Sequence, residues 1–291
     1  VSQQKNLPDR HRWRFFVAPG SLVPGSMVLD ASESHFAVVL RLRPGEPIEV
    51  GDGAGFVAAG HVGSVTKEQV TVVLESPTPC QRPSVSVTVV LARARTAALE
   101  EVVESVVQLG ATRVVIFDGG ARHRSEEALA LKDREIQRLQ RIALESCRVA
   151  KRAWLCDLDL GLRSAHEVLD LAKRQASVVC VCDEAPLHEA WTQPSAQHPH
   201  LVDAVEEALK HQRSTGQTLR DIMVIIGPES GLPETIKREL RDGAKSSSLP
   251  LSFVTLGDGI LTVPNAARAA VVLAQHAARL VSRSFRQETQ G

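Results

Sequence analysis

Short apolar runs of strand length recur along the whole chain, but what lies between them changes near residue 80. Before that point, residues 13–18, 47–50, 56–65 and 69–75 read as strands separated by glycine-rich turns. One short helix, with Ser32 as its cap, runs through Val39. Several short strands with a single helix predict a small β-barrel. After residue 83 the apolar runs are 85–92, 113–117, 154–158, 178–182, 222–226 and 252–256, and amphipathic patterns such as 99–109, 136–149 and 264–282 fall between and after them. That alternation predicts an α/β fold with a parallel sheet covered on both faces. Pro77, Pro79 and Pro83 punctuate 76–83, which reads as the linker. The expected division is therefore a flexible extension at 1–11, one domain at 12–78 and a second at 84–285. Residues 186–220 form a long polar insertion with one helical pattern at 201–212, and a loop of that size is usually functional or mobile.

Composition narrows the function classes. The 291 residues suffice for two domains, and 43% hydrophobic content supplies a full core. No apolar run approaches the ~20 residues that cross a bilayer. The net charge is zero, so a polyanion would have to be held by local clusters rather than a global field. Arginines number 26 against 8 lysines, a bias that suits bidentate phosphate contacts. The five cysteines lack C-x-x-C spacing and read as buried, reduced thiols. No His pair has zinc spacing, so no metal is expected. The polar N-terminus carries no secretory pattern. The chain starts at Val1, so the expected compartment is the cytoplasm, or an organelle matrix if a targeting segment has been removed.

Two C-terminal stretches carry the chemistry. In each, an apolar run breaks on glycine and is followed by a helical pattern: Ile226-Gly227-Pro228-Glu229-Ser230-Gly231, and Leu256-Gly257-Asp258-Gly259-Ile260-Leu261. Pro233 suits the first helical position, and Glu234 puts a negative charge in the first turn. Glycine lets backbone approach a ligand, and two such turns at the ends of neighbouring strands make a cofactor crevice. Gly227 to Gly231 is not a nucleophile elbow, because Ser230 sits one place late. Gly51 to Gly55 reads as a hairpin turn rather than a dinucleotide fingerprint. In the N-terminal part, Arg41 and Arg43 alternate with Leu40 and Leu42, and Arg10, Arg12 and Arg14 surround Trp13. These arginines either meet RNA phosphates or form a solvated edge that discourages strand pairing. On the last helix, Ala267, Ala270, Val271, Ala274, Ala277, Ala278 and Val281 form a small-sided stripe that packs either on the chain's own sheet or against a second copy.

The stretch 226–231 closely resembles the I-G-P-E-G-G signature of the RsmE family, ribosomal small-subunit RNA (uracil-N3) methyltransferases of the SPOUT, or trefoil-knot, superfamily. The stretch 256–261 is similar to that family's L-G-x-x-I-L turn. Residues 35–46 resemble the H-x-x-x-V-L-R-x-x-x-G-E stretch of its PUA-like RNA-binding domain. The resemblance implies a knotted C-terminal domain, its last strand and helix threaded through the loop after 178–182. It implies S-adenosylmethionine as cofactor, held by the loop at Asp183-Glu184, by Gly227, Pro228, Glu229 and Gly231, and by Leu256, Gly257, Ile260, Leu261 and Asn265. It implies RNA contact through Arg12, Arg14, Arg41 and Arg43, small-subunit ribosomal RNA or a pre-ribosomal particle as partner, and a homodimer unless another chain takes the second place. The chain departs from the family where L-R-T-E-T-A reads Leu261-Thr262-Val263-Pro264-Asn265-Ala266. With Thr262 in the arginine's place, Arg95 and Arg152, which match other family positions, become the catalytic candidates beside Glu229, and Arg268 ranks below them. Arg95 and Glu100 keep part of the family's R/K-G-x-x-x-E pattern. Two readings follow: a uridine-N3 methyltransferase of small-subunit rRNA, or a non-catalytic relative acting as a ribosome assembly or structural RNA-binding factor. Another small-molecule α/β enzyme is a weaker third.

Overall fold

The computed structural model describes residues 12–83, 85–120, 130–175, 177–183, 198–215 and 220–288. The extension expected at 1–11, with Arg10, lies outside them. The chain forms two compact units, Val1–Arg82 with Cys147–Leu155, and Pro83–Ser146 with Cys156–Gly291.

The first unit contains β1 (Trp13–Phe16), β2 (Gly25–Val28), α1 (Ala31–Val39), β3 (Pro47–Gly51), β4 (Phe56–Val65), β5 (Val70–Leu74) and β6 (Thr78–Pro79). The sheet order is β1-β3-β4-β5-β2, with β6 paired to β4. Only β1 with β3 is parallel. Alternate residues such as Ile48, Val50, Val62, Val70 and Val72 turn inward onto Phe15 and Ala37. The β3–β4 turn is the expected hairpin, tightened by Asp52, whose Oδ1 accepts from the N–H groups of Ala54 (2.8 Å) and Phe56 (3.0 Å). Helix α1 is capped by Asp30 rather than Ser32: Asp30 Oδ1 takes the Glu33 N–H at 2.8 Å, and Ser32 already lies inside the helix. The helix ends in a left-handed residue, Arg41 (φ 55°), with Arg41 N–H on the Val38 carbonyl (2.9 Å) and Leu42 N–H on the Ala37 carbonyl (3.2 Å). This turn buries Leu42 and leaves Arg41 and Arg43 exposed.

The second unit contains β7 (Ser86–Ala92), α2 (Thr96–Gln108), β8 (Arg113–Phe117), α3 (Asp133–Val149), β9 (Asp157–Arg163), α4 (Ala165–Gln175), β10 (Ser177–Cys182), α5 (Leu201–Thr215), β11 (Asp221–Ile226), α6 (Glu234–Ser246), β12 (Leu251–Val254) and α7 (Val263–Glu288). The last residues of α3, from Cys147 on, belong to the first unit. All six strands are parallel, in the order β12-β10-β11-β7-β8-β9. Helices α4 and α6 bury Leu169, Ile236 and Leu240 against Val90, Met223 and Ile225. Helix α7 packs on β7 and β11 and carries α2 and α5 along its length. Its stripe, Ala267, Ala270, Val271, Ala274 and Ala277, is fully buried there, so of the two alternatives it is packing within this chain that uses the small side chains. The side chain of Val281 lies outside those described. At the amino ends of the strands, Asp221 is buried and ringed by hydroxyls: Ser86 Oγ (2.7 Å) and Thr88 Oγ1 (3.0 Å) from β7, and Ser177 Oγ (2.8 Å) from β10. Burial pushes its carboxyl above the usual aspartate range, and the three donors pull against that shift.

The segment Cys147–Leu155 corrects the expectation that 84–285 forms one continuous domain. Arg148 pairs with Glu33, both almost fully buried, and its guanidinium lies 4.4 Å from the centre of the Phe36 ring. Glu33 also accepts the Phe16 N–H at 3.2 Å. Lys151, left-handed at φ 54°, offers its carbonyl to Arg14 Nη1 (2.5 Å), and its ammonium donates to Glu49 Oε2 (3.0 Å) and to the carbonyl of half-buried Arg12. Arg14 itself is buried and ion-paired to Glu49 at 2.9 Å, so it is a structural residue and not the surface RNA contact expected of it. Trp154 bridges to Ala54 and donates its indole N–H to the Cys80 carbonyl at 3.3 Å. The strand expected at 154–158 therefore starts only at Asp157, because Trp154 is spent on the first unit.

These contacts give a stability test. Burial raises the Glu33 carboxyl pKa and Arg148 lowers it. Removing one partner of a buried pair strands the other, so Arg148→Met should cost about 3–5 kcal/mol in urea denaturation at pH 7–8. Without the guanidinium, the Glu33 pKa rises further in the folded state. A folded pKa above the unfolded one means stability falls as pH climbs from about 4.5 through the folded value. The Arg148→Met deficit should therefore shrink at pH 5. A deficit independent of pH would remove Glu33 from the account.

Candidate active site

The carboxyl ends of β12, β10 and β11 lie side by side, with Cys182 in register with both Ile226 and Val254. The end of β10 at Cys182 and Asp183 and the turns after β11 and β12 enclose a cleft of about 600 Å³. Strand ends of a parallel sheet are where such crevices open, because the helices that cover the faces leave this edge uncovered. Gly227, Pro228, Glu229, Gly231, Leu256, Gly257, Ile260 and Leu261 all line it. Gly227 makes a close approach: a Cβ there would stand 3.0 Å from Leu232 Cγ and 3.1 Å from Leu232 N, tight enough that the neighbour would have to shift. Gly257 has φ +148°, and a Cβ there would meet no atom within 4 Å. Gly231 N–H closes the turn on the Pro228 carbonyl at 2.9 Å. Helix α6 starts at Glu234, one residue later than expected, with Pro233 as its cap residue. Two expected residues are not in this wall. Glu184 lies outside the described residues. Asn265 is exposed on the first turn of α7, where its Oδ1 accepts from Arg268 Nη1 at 2.9 Å.

The charged lining comprises three carboxylates, Asp183, Glu229 and Asp258, and one ammonium, Lys237, among the described residues. Lys237 Nζ donates to Asp183 Oδ2 at 2.6 Å, and His198 Nε2 lies 3.5 Å from the same oxygen. The pattern reading missed Lys237. The available signal was a lysine in the first turn of a helix, where the helix dipole disfavours a cation. Cys182 also lines the cleft, but burial, with Cys180 and Asp183 adding to it, holds its thiol protonated, and burial alone pushes Cys180 up to about 12.

A second cleft, of about 660 Å³, opens at the carboxyl ends of β7 and β8. It is lined by Arg93, Arg95, Thr96, Asp118 and Gly119, and it shares Pro228 to Gly231 with the first. The turn after β11 is thus a common wall. Glu229 lines both clefts, and its Oε1 is 4.0 Å from Arg95 Nη2, with Arg95 almost fully exposed. The other candidates do not join them. Arg152 belongs to the first unit and lines neither cleft. Arg268 is held by Glu101 at 2.7 Å, and Glu100 by Arg138.

Residues 81–275 match the family model of an RNA methyltransferase domain. The chain belongs to this RNA methyltransferase family. Residues 29–75 match the model of the RNA methyltransferase PUA domain, which covers α1, β3, β4 and β5. No curated protein matches the sequence at a significant level. Solved structures do match in fold. The ribosomal RNA small subunit methyltransferase E of Neisseria gonorrhoeae, bound to S-adenosyl methionine, is 19% identical, with TM-score 0.67, over 91% of this chain and 98% of its own. A Legionella pneumophila protein assigned as a methyltransferase and solved with SAM gives the same four values. A probable rRNA-methyltransferase of Porphyromonas gingivalis is 19% identical, with TM-score 0.64, over 92% of this chain and 99% of its own. Solved proteins of this fold thus include two bound to SAM, and the N-terminal PUA-like domain and the parallel α/β domain are both part of the shared architecture.

Proposed function

We propose that the chain is an S-adenosylmethionine-dependent methyltransferase acting on N3 of a uridine in small-subunit ribosomal RNA. The observation that carries this reading is the pair of clefts separated only by the turn Pro228 to Gly231. One is suited to a cofactor and the other to a base, and a shared wall gives the closeness that transfer between two ligands needs. The cofactor fits the first cleft on three counts. Its volume is in the usual range for small-ligand sites, ~300–1,000 Å³. The open side of Gly257 leaves room against backbone. Three carboxylates against one ammonium favour a ligand that is a net cation. When bound, S-adenosylmethionine supplies a methyl group on a sulfonium.

Within this reading the residues have separate tasks. The turn glycines admit the cofactor. Arg95, at the mouth of the second cleft, stays charged at any working pH and stabilises the negative charge that a uracil ring gains when N3 loses its proton. Glu229 lines both clefts and sets the charge between them. Arg41 and Arg43, exposed on the first unit, hold RNA phosphates; Arg12, half-buried, is a weaker candidate for the same task. The trefoil knot belongs to the reading, supported by the seating of β12 beyond β10 although it follows β11 in the chain. So does a homodimer. The buried stripe of α7 does not supply its surface, but exposed Ile260 beside the first cleft and Val272 on α7 remain open to a second copy. Thr262 in place of the family's arginine favours the second reading, a binding factor that does not catalyse, and product formation separates the two.

Purified protein with S-adenosylmethionine and small-subunit particles should yield N3-methyluridine by nucleoside mass spectrometry. Arg95→Ala should lower turnover by ~10²–10³ with cofactor affinity kept. No product from the wild type would leave the binding-factor reading as the better account. Gly257→Val places a branched side chain in the cleft and in a strained backbone region. It should abolish S-adenosylmethionine binding by calorimetry, and affinity within two-fold of the wild type would exclude this turn from the cofactor site. RNA binding should weaken steeply with salt, and Arg41→Ala with Arg43→Ala should flatten the log–log slope by roughly one to two units. An identical slope would make both arginines ordinary surface charges.

A further inference from the structure

Lys237 has no part in the roles assigned so far, and the resemblance assigns Asp183 only to a loop that holds the cofactor, without naming the cofactor group it meets. The side chains of the Lys237–Asp183 pair are 19% and 12% exposed, and both line the first cleft, at the wall formed by the end of β10 and the first turn of α6. Two features separate it from an ordinary surface ion pair. Lys237 is the one cation in the cleft lining among the described residues, opposed by three carboxylates. It also stands in a first helical turn, where the dipole works against it, so its charge has to be stabilised by Asp183 at 2.6 Å. An ammonium has three donors, and Asp183 uses one.

We propose that Lys237 and Asp183 together recognise the amino-acid tail of the cofactor, with Lys237 taking the α-carboxylate and Asp183 the α-ammonium. The assignment rests on the cofactor reading above and adds a subsite to it. The chemical argument is complementarity. The methionine end of an adenosyl cofactor is a zwitterion, and an ammonium–carboxylate pair presents the matching zwitterion at fixed spacing. The adenosine end carries no formal charge and needs no such partner. Backbone groups and apolar side chains such as Leu232, Val254 and Leu256 supply the rest of the wall. Asp183 has a second task, holding the lysine side chain against the wall so that less rotamer freedom is lost on binding. The apolar contacts then decide that an adenosyl ligand binds, and this pair decides that the ligand carries an amino acid.

Calorimetric titration of the full chain with two probes tests this. S-adenosylhomocysteine has the tail and no sulfonium, and 5′-methylthioadenosine has the same adenosine and sulfur without the tail. Lys237→Met should weaken S-adenosylhomocysteine about ten-fold or more, the usual loss for a charged hydrogen bond, and leave methylthioadenosine within two-fold. Lys237→Arg keeps the charge and should keep the preference for the tailed ligand. Equal losses for both probes in Lys237→Met, or no loss for either, would overturn the tail assignment and leave the cofactor cleft standing. Wild-type protein that binds neither probe would instead overturn the cofactor reading on which it rests.

Discussion

Both clefts depend on the register of the parallel strands, and Asp221 ties that register together at their amino ends. Its carboxylate takes two hydroxyls from β7 and one from β10, so three strands are joined at one buried group. A slip of one residue would turn every buried side chain to the opposite face, and a slip of two would shift the turn after β11 along its neighbours. The hydroxyls at one end thus help fix where Gly227 to Gly231 stands at the other. The arrangement carries a desolvation cost, visible in the raised carboxyl pKa, which the three hydroxyl donors offset in part.

The charged residues of the chain divide by surroundings rather than by type. Arg14, Arg148 and Lys151 lie inside the first unit, on Glu49, Glu33 and backbone carbonyls. Arg41, Arg43 and Arg95 are exposed, Arg95 with Glu229 4.0 Å away. The left-handed turns follow the same logic. Arg41, Lys151 and Ser248 each end a helix at positive φ, where glycine is the usual residue. For Lys151 the strain is offset by the contacts of its carbonyl and ammonium.

A common wall between the two clefts follows from sheet order. Strands β7, β8 and β9 run outward on one side of β11, and β10 and β12 on the other. The turn after β11 therefore stands at the centre and faces both clefts, whereas the turn after β12 faces only one. That is why the stretch with the most distinctive glycine pattern is also the one both ligands would touch.

Much of this was legible in the chain itself. The strand runs at 113–117 and 56–65 match the observed strands end to end, because period and turn residues are local properties. The glycines at 227, 231 and 257 announced tight turns after apolar runs, and the structure bears this out: Gly227 stands close to Leu232, and Gly231 and Gly257 have positive φ. Sequence also determined the family, through short stretches whose side chains are few and whose backbone is the message. Tertiary structure decided what depends on partners far away in the chain. Arg14 reads as one more surface arginine until Glu49 and Lys151 enclose it. Trp154 reads as the start of a strand until Ala54 and Cys80 claim it. Lys237 reads as a solvated helix residue until Asp183, 54 positions earlier, turns it into part of the cleft. A local pattern specifies which face a residue takes on its own element. Which charge it meets there is set by the packing of elements that the pattern does not connect.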